Sequence, residues 1–139
     1  MAELWTCPSC RRDFTRDGQS HECAPALTLE EYFSTGPEFE RPIVERILAH
    51  LRSLGDVRVE AVQVGVFVKR AGTFVELRPQ RHRVALSMLL PRPIEHPRIV
   101  RRVPVSGGRT ACFVHLSSPS DVDDDMLAWL TESFLAAPD

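Results

Sequence analysis

Cys7, Cys10, His21 and Cys23 are the residues of this chain whose types and spacing most directly imply chemistry. They lie in the run Trp5-x-Cys7-x-x-Cys10-x-x-x-Phe14 followed by His21-x-Cys23, three thiols and an imidazole within 17 residues. A Cys-x-x-Cys spacing lets two thiolates reach one ion from a single tight turn, and a Cys3His set closes a tetrahedral zinc site. With all four positions filled by protein, no position stays open for water, so the expected role is one structural zinc per chain. The His-x-Glu element of zinc deaminases is missing upstream of the pair. A redox Cys-x-x-Cys needs a preceding strand and a following helix to lower its thiol pKa, and with only six residues ahead of Cys7 that use is not expected. The ten residues between Cys10 and His21 include Gly18 and are too few for the base-reading helix of a C2H2 finger. A segment this small buries too little surface to fold alone, so ligation supplies its order around a miniature core of Trp5 and Phe14.

Three other groups of residues can be given chemistry. In the middle of the chain Phe67, Phe74 and Phe113 are interleaved with Lys69, Glu76, Arg78, Arg102 and His115, and aromatics among cations can stack bases and pair phosphates. Lys69, Arg78, Arg102 and His115 are therefore candidate anion-binding residues, unless the zinc module, the first helix or a second subunit covers them. The loop Pro91-Arg92-Pro93-Ile94-Glu95-His96-Pro97-Arg98 holds an acid, an imidazole and guanidinium groups on a backbone stiffened by proline. Glu95, His96 and Arg98 either line a cleft or form a rigid connection in which Arg98 pairs with Glu95. Asp121, Asp123, Asp124 and Asp125 read as the acidic first turn of a helix, where they complement the macrodipole, rather than as a metal cluster. No nucleophile elbow, phosphate loop, dinucleotide fingerprint or metalloprotease helix is present, so nothing names a reaction.

Length and charge bound the architecture that must position these groups. A chain of 139 residues, 43% of them apolar, suits one domain plus an appendage. Its net charge of −2 hides segregation: Asp56 to Leu116 carry 11 Lys/Arg against 4 Asp/Glu, while residues 117 to 139 carry none against 6. Lys69 is the one lysine among 17 basic residues, and arginine is the side chain that grips phosphate or carboxylate bidentately. The absence of any apolar run near ~18 residues predicts no membrane span, and clustered thiols beside a histidine suit a reducing, cytoplasmic setting.

Residues 1–25 are expected to form the zinc-binding module and 26–139 an α+β domain. Thr28-Leu29-Glu30-Glu31 is a capping box opening a helix to about Ser34. Ile43, Val44, Ile47, Leu48, Leu51 and Leu54 mark a second, amphipathic helix that begins near Pro42 or kinks there. From Val57 to Leu116 a β pattern predicts a curved antiparallel sheet of five or six strands, with turns at Ala71-Gly72, Arg78-Pro79-Gln80 and Ser106-Gly107-Gly108. Alternation puts Val62, Val64, Val66, Val68, Val75, Leu77, Val84, Leu86, Met88, Val103, Cys112, Val114 and Leu116 on one apolar face. Helices must cover that face, the last starting at Ser118-Pro119 with Val122, Met126, Trp129, Leu130 and Phe134 on its stripe.

The zinc run, Ile94-Glu95-His96-Pro97-Arg98 and Ser118-Pro119-x-Asp121 through Trp129-Leu130 together resemble the bacterial proteins grouped as domain-of-unknown-function family 5655. The resemblance implies a zinc-bearing start joined to an α+β domain and marks Glu95, His96, Pro97 and Arg98 as a motif. It carries no activity, so enzymatic function stays open. The expected function is a noncatalytic binding module for an anionic partner such as nucleic acid. The alternatives are a small-molecule binder or small enzyme using a cleft near Glu95, His96 and Arg98, and a homodimeric or larger assembly joined through the basic aromatic face.

Overall fold

Caps and breaks in the sequence set where each element of the computed structural model begins, and residues 3–21 and 23–138 are described. They form β1 (Trp5–Thr6), β2 (Asp13–Phe14), α1 (Leu29–Ser34), α2 (Glu40–Leu54), β3 (Arg58–Val62), β4 (Gly65–Lys69), β5 (Thr73–Pro79), β6 (Val84–Leu90), β7 (Arg101–Pro104), β8 (Thr110–Leu116) and α3 (Asp124–Ala136). The Thr28 hydroxyl accepts the Glu31 N–H while the Glu31 carboxylate takes the Thr28 N–H, which closes the expected capping box on α1. Pro42 falls in the first turn of α2, where no helical N–H is needed, and α2 runs on without a kink at that residue.

β1 and β2 pair as a small hairpin, and the other strands form a six-stranded antiparallel sheet in the order β3-β4-β5-β6-β8-β7. The last two strands are inverted relative to the chain because the loop after β6 leads to the far edge before β8 returns between β6 and β7. Ser106–Gly108 turns that corner, with Gly107 and Gly108 at φ of 77° and 72°. That left-handed conformation is one glycine adopts without steric cost. The outermost strand is short and carries Arg101, Arg102 and Pro104, features that discourage edge-to-edge pairing.

One side of the sheet is packed against the helices. Val66, Val68, Val75, Leu77, Val84, Leu86, Met88, Cys112, Val114 and Leu116 meet Ile43, Val44, Ile47, Leu48 and Leu51 of α2 and Met126, Leu130 and Phe134 of α3, all essentially withdrawn from water. The sheet, the three helices of the described residues and the cover on one face match the expected fold class. No helix among the described residues is long and apolar enough to cross a membrane.

Parts of the expected pattern are corrected. Val62 and Gly65 face each other across the two-residue turn Gln63-Val64, so alternation cannot be carried through that turn. Val62 therefore lies buried on the outer face, outside the main core, and Val64 is 38% exposed. In β5 the register slips, with Val68 opposite Val75 but Lys69 opposite Thr73. The extra residue, Phe74, turns into the core against Phe134 instead of standing on the outer face. In β7, Arg102 pairs with Cys112 and Val103 with Ala111, which puts Arg102 on the helix side and Val103 outside. Ser118 and Asp121 cap a 3-10 turn at Pro119–Asp121, not α3 itself; Val122 then plunges into the core and α3 restarts behind its own cap, Asp123. The turn expected at Arg78-Pro79-Gln80 also moves on, since Arg78 and Pro79 still pair with Ala85 and Val84.

Candidate metal centre and the outer sheet face

The Cys7–Cys10 turn is held by the Arg11 N–H bonded to the Cys7 carbonyl at 2.8 Å and the Cys7 N–H bonded to the Arg12 carbonyl at 2.9 Å. Arg11 accepts a left-handed backbone, φ 64°, to make the turn this tight. The β1–β2 hairpin then sets Trp5 beside Phe14 and brings the chain back so that His21 and Cys23 meet the turn. The Sγ atoms of Cys7, Cys10 and Cys23 and a ring nitrogen of His21 all lie within 4.8 Å of one another. Cys7 Sγ is 3.6 Å from Cys23 Sγ, and Cys10 Sγ is 3.4 Å from His21 Nε2. Around a tetrahedral ion with metal–sulfur bonds of ~2.3 Å, sulfurs sit ~3.8 Å apart and a sulfur and nitrogen ~3.6 Å, so the donors fit one metal ion.

Supporting contacts agree with that use. His21 Nδ1 bonds the Gln19 carbonyl at 2.6 Å, which leaves Nε2 as the nitrogen available to a metal ion. Such an outer bond is one that metal-bound imidazoles usually make. The Cys7 thiol is lowered to about 6, first by the hydrogen bond from the Cys10 backbone, whereas hydrogen bonding to Cys7 and burial raise Cys23 to about 11. The two shifts are opposite in sign because the hydrogen bond between the two sulfurs, 3.6 Å apart, favours the thiolate at Cys7 and the thiol at Cys23.

The same hairpin presses β2 against the outer face of β3 and β4. Arg12 Nε bonds Glu60 Oε1 at 2.9 Å, and the Lys69 ammonium lies 2.9 Å from the same oxygen while donating to the Asp13 carbonyl at 2.8 Å. Arg12 and Lys69 retain only 6% and 3% exposure. Rings complete the contact: the Arg12 guanidinium lies 5.4 Å from the Phe14 centroid and 5.3 Å from that of Phe67, and the Lys69 ammonium lies 4.3 Å from Phe14. At these separations the ring faces attract the cations. Phe14 stacks in turn on the His21 imidazole, centroids 4.0 Å apart, so the candidate metal centre and the sheet contact share one ring. Burial lowers the Lys69 pKa, and Glu60 opposes that shift.

The sequence-predicted anion residues are not brought together. Lys69 is consumed in this contact. Arg102 lies across the sheet, donating to the Ile94 carbonyl at 3.2 Å. Arg78 and His115 do share the outer face, through Ala85 between them. Arg78 stands 3.6 Å from Glu76, and burial together with the charge of Arg83 lowers the His115 pKa. Beyond them a shallow cleft of about 330 Å³ is lined by Phe113, Leu89, Val103, Arg101, Ser87 and Glu76. There the Arg101 guanidinium lies over Phe113 at 5.4 Å.

The loop motif is fastened to α3. Arg98 pairs with Asp123 at 2.8 Å rather than with Glu95, His96 Nε2 is 3.4 Å from Asp125 and its ring meets Trp129 edge-on at 4.9 Å, and Arg92 grips Glu132 with two 3.0 Å bonds. Glu95 projects into solvent, 4.0 Å from Arg102 at the nearest approach. Sequence reasoning did not find Arg12, Asp13 and Glu60 as partners. The available signal was Glu60 itself, an acid at an outward strand position between Arg58 and the basic stretch that follows.

A search of curated proteins and one of solved structures find no match to the chain. The family model that does match begins at Leu29, after the Cys7, Cys10, His21 and Cys23 cluster, and spans the helices, the sheet, the loop motif and α3. Over residues 29–137 the chain therefore belongs to the family described as Domain of unknown function (DUF5655).

Proposed function

We propose that the protein is a noncatalytic binding module for an anionic partner of the nucleic-acid class, in which residues 1–25 are a zinc-ordered module and residues 26–139 the α+β domain that makes the contact. Three thiolates and one imidazole in a closed tetrahedral arrangement suit zinc best among common ions. The observation that carries the binding reading is the half of the outer face that β1 and β2 leave open. Arg78 and Arg101 flank Phe113 and His115 there, Arg83 stands near His115, and Glu76 is the acid that the described residues set against them. Guanidinium groups beside a flat ring can pair phosphates and stack bases without requiring a sequence.

Elemental analysis should give one zinc per chain. A short single-stranded oligonucleotide should bind with a salt slope near −2 on a log–log plot, at ~0.7 per phosphate contact from about three arginines. The double variant Arg78→Ala, Arg101→Ala should flatten the slope and weaken binding by about tenfold. Failure of the metal-loaded protein to bind at low salt overturns this reading.

A further inference from the structure

We propose that Asp13 and Phe14 occupy, in cis, a second polyanion-binding patch on β3 and β4, and that the metal-ordered N-terminal segment is a removable cover over it. The ligand class rests on the reading of the open half, while the cover rests on the contacts themselves.

The patch consists of Arg58, Phe67 and Lys69. What lies on it has the chemistry of a nucleotide's phosphate and base: the Asp13 carboxylate faces Arg58 at 3.7 Å, the Asp13 carbonyl accepts from Lys69 at 2.8 Å, and the Phe14 ring covers the Lys69 ammonium at 4.3 Å. An anionic oxygen on a cation with a flat ring stacked beside it is how single strands are held on sheet faces. The covered patch is also continuous with the open one, since Phe67 has Arg12 at 5.3 Å and Arg78 of the open half at 5.8 Å.

The attachment is of a kind that can be released. Phe14, Cys7 and Cys10 form a cluster of their own, with Trp5 against it, separate from the main core. Without ligation such a cluster is too small to persist. Phe14 stacks on the ligand His21, so loss of the metal reaches the ring that covers Lys69. A purely structural clamp would use the same ion pairs and uncover the same residues, so the two readings part on whether a polyanion binds there once the cover is gone. When Arg12 departs, Glu60 neutralises Lys69, and Arg58 and Phe67 remain as a gain of about one phosphate contact.

Two manipulations of the full-length protein test this, both read by oligonucleotide binding against salt, with the melting transition of the main domain followed in parallel. Stripping the metal with a chelator should steepen the slope by roughly 0.7 and tighten binding about fivefold at low salt. Arg12→Ala keeps every metal ligand and removes a positive charge, so simple attraction makes it bind more weakly, whereas release of the cover makes it bind more tightly. Unchanged or weaker binding in both experiments overturns the proposal. If only the stripped or Arg12→Ala protein binds, the cover stands and the open-half reading falls. If the loaded wild type binds and neither change tightens it, the cover alone falls, and no binding in any form overturns both.

Discussion

On its inner face the sheet meets α2 and α3 through side chains such as Ile47, Leu86 and Leu130, fully withdrawn from water, whereas on its outer face it meets the N-terminal hairpin through Arg12, Glu60, Lys69 and Asp13. The inner contact is non-directional and scales with apolar area. The outer contact is a few charge-assisted bonds in fixed geometry, whose desolvation offsets much of their attraction. One molecule thus closes one face of its sheet by packing and covers part of the other through charged contacts. The first engages most of the apolar side chains of the domain, and the second a handful of charged ones.

The largest expected effect separates these two kinds of closure. Leu130→Ala removes a side chain packed in the middle of the core. It should lower global stability by ~2 to 5 kcal/mol, the range for buried leucine truncation. Cys10→Ser should abolish stoichiometric metal binding and increase amide exchange in residues 3–21, yet leave the main unfolding transition almost in place. Loss of that transition in Cys10→Ser would mean that the two faces fold as one unit.

The inner face was legible because hydrophobic alternation and helical spacing are properties of residues close in sequence. The capping box on α1, the apolar stripe of α2 and the four candidate metal donors were read from spacing alone, and the structure brings those four residues together. What failed to follow from pattern were the interruptions: a two-residue turn that reverses the parity between Val62 and Val66, a bulge that turns Phe74 inward, and an edge strand whose register exchanges Arg102 and Val103. Each shifts the phase by one residue, and a period of two turns that into the opposite face. The contacts of Glu60 with Arg12 and of Arg98 with Asp123 join residues 48 and 25 positions apart, a pairing that local periodicity does not encode.

A smaller effect probes an exception within the inner face. Glu40 is completely buried at the start of α2, where the Tyr32 hydroxyl donates to Oε2 and Oε1 has no hydrogen-bond partner. Burial raises the Glu40 pKa above its ordinary value of 4.5, and it also raises that of Tyr32. The neutral carboxyl is thus the form the fold prefers. Its contribution is fully present below the unfolded-state pKa and is lost as pH rises through the folded-state value. Glu40→Gln keeps the shape and an acceptor for Tyr32 but cannot ionise. Urea midpoints of the two proteins should therefore lie close together near pH 4 and separate as pH rises, with the variant the more stable at pH 8. Parallel pH profiles would show that Glu40 does not titrate within the fold.

The smallest effect concerns the loop Pro91–Arg98, where a display motif and a structural brace make opposite predictions. His96 is held on three sides: the Arg98 N–H donates to Nδ1 at 3.1 Å, Asp125 lies 3.4 Å from Nε2, and Trp129 meets the ring edge-on. Its side chain retains 31% exposure. Solvent therefore screens the Asp125 pair, and the lost contacts are worth less than a fully buried hydrogen bond. His96→Ala should lower stability by ~1 kcal/mol. Because α3 is anchored through the same loop by Arg98 and Arg92, the variant should gain amide exchange in the first turn of α3 rather than in the sheet. Oligonucleotide affinity should stay as in wild type, since His96 lies on the helix side of the molecule and Arg101 and Phe113 on the other. A variant as stable as wild type would show that the brace does not depend on the imidazole, and a ligand-binding defect in that stable protein would move the search for a partner from the outer sheet face to this loop.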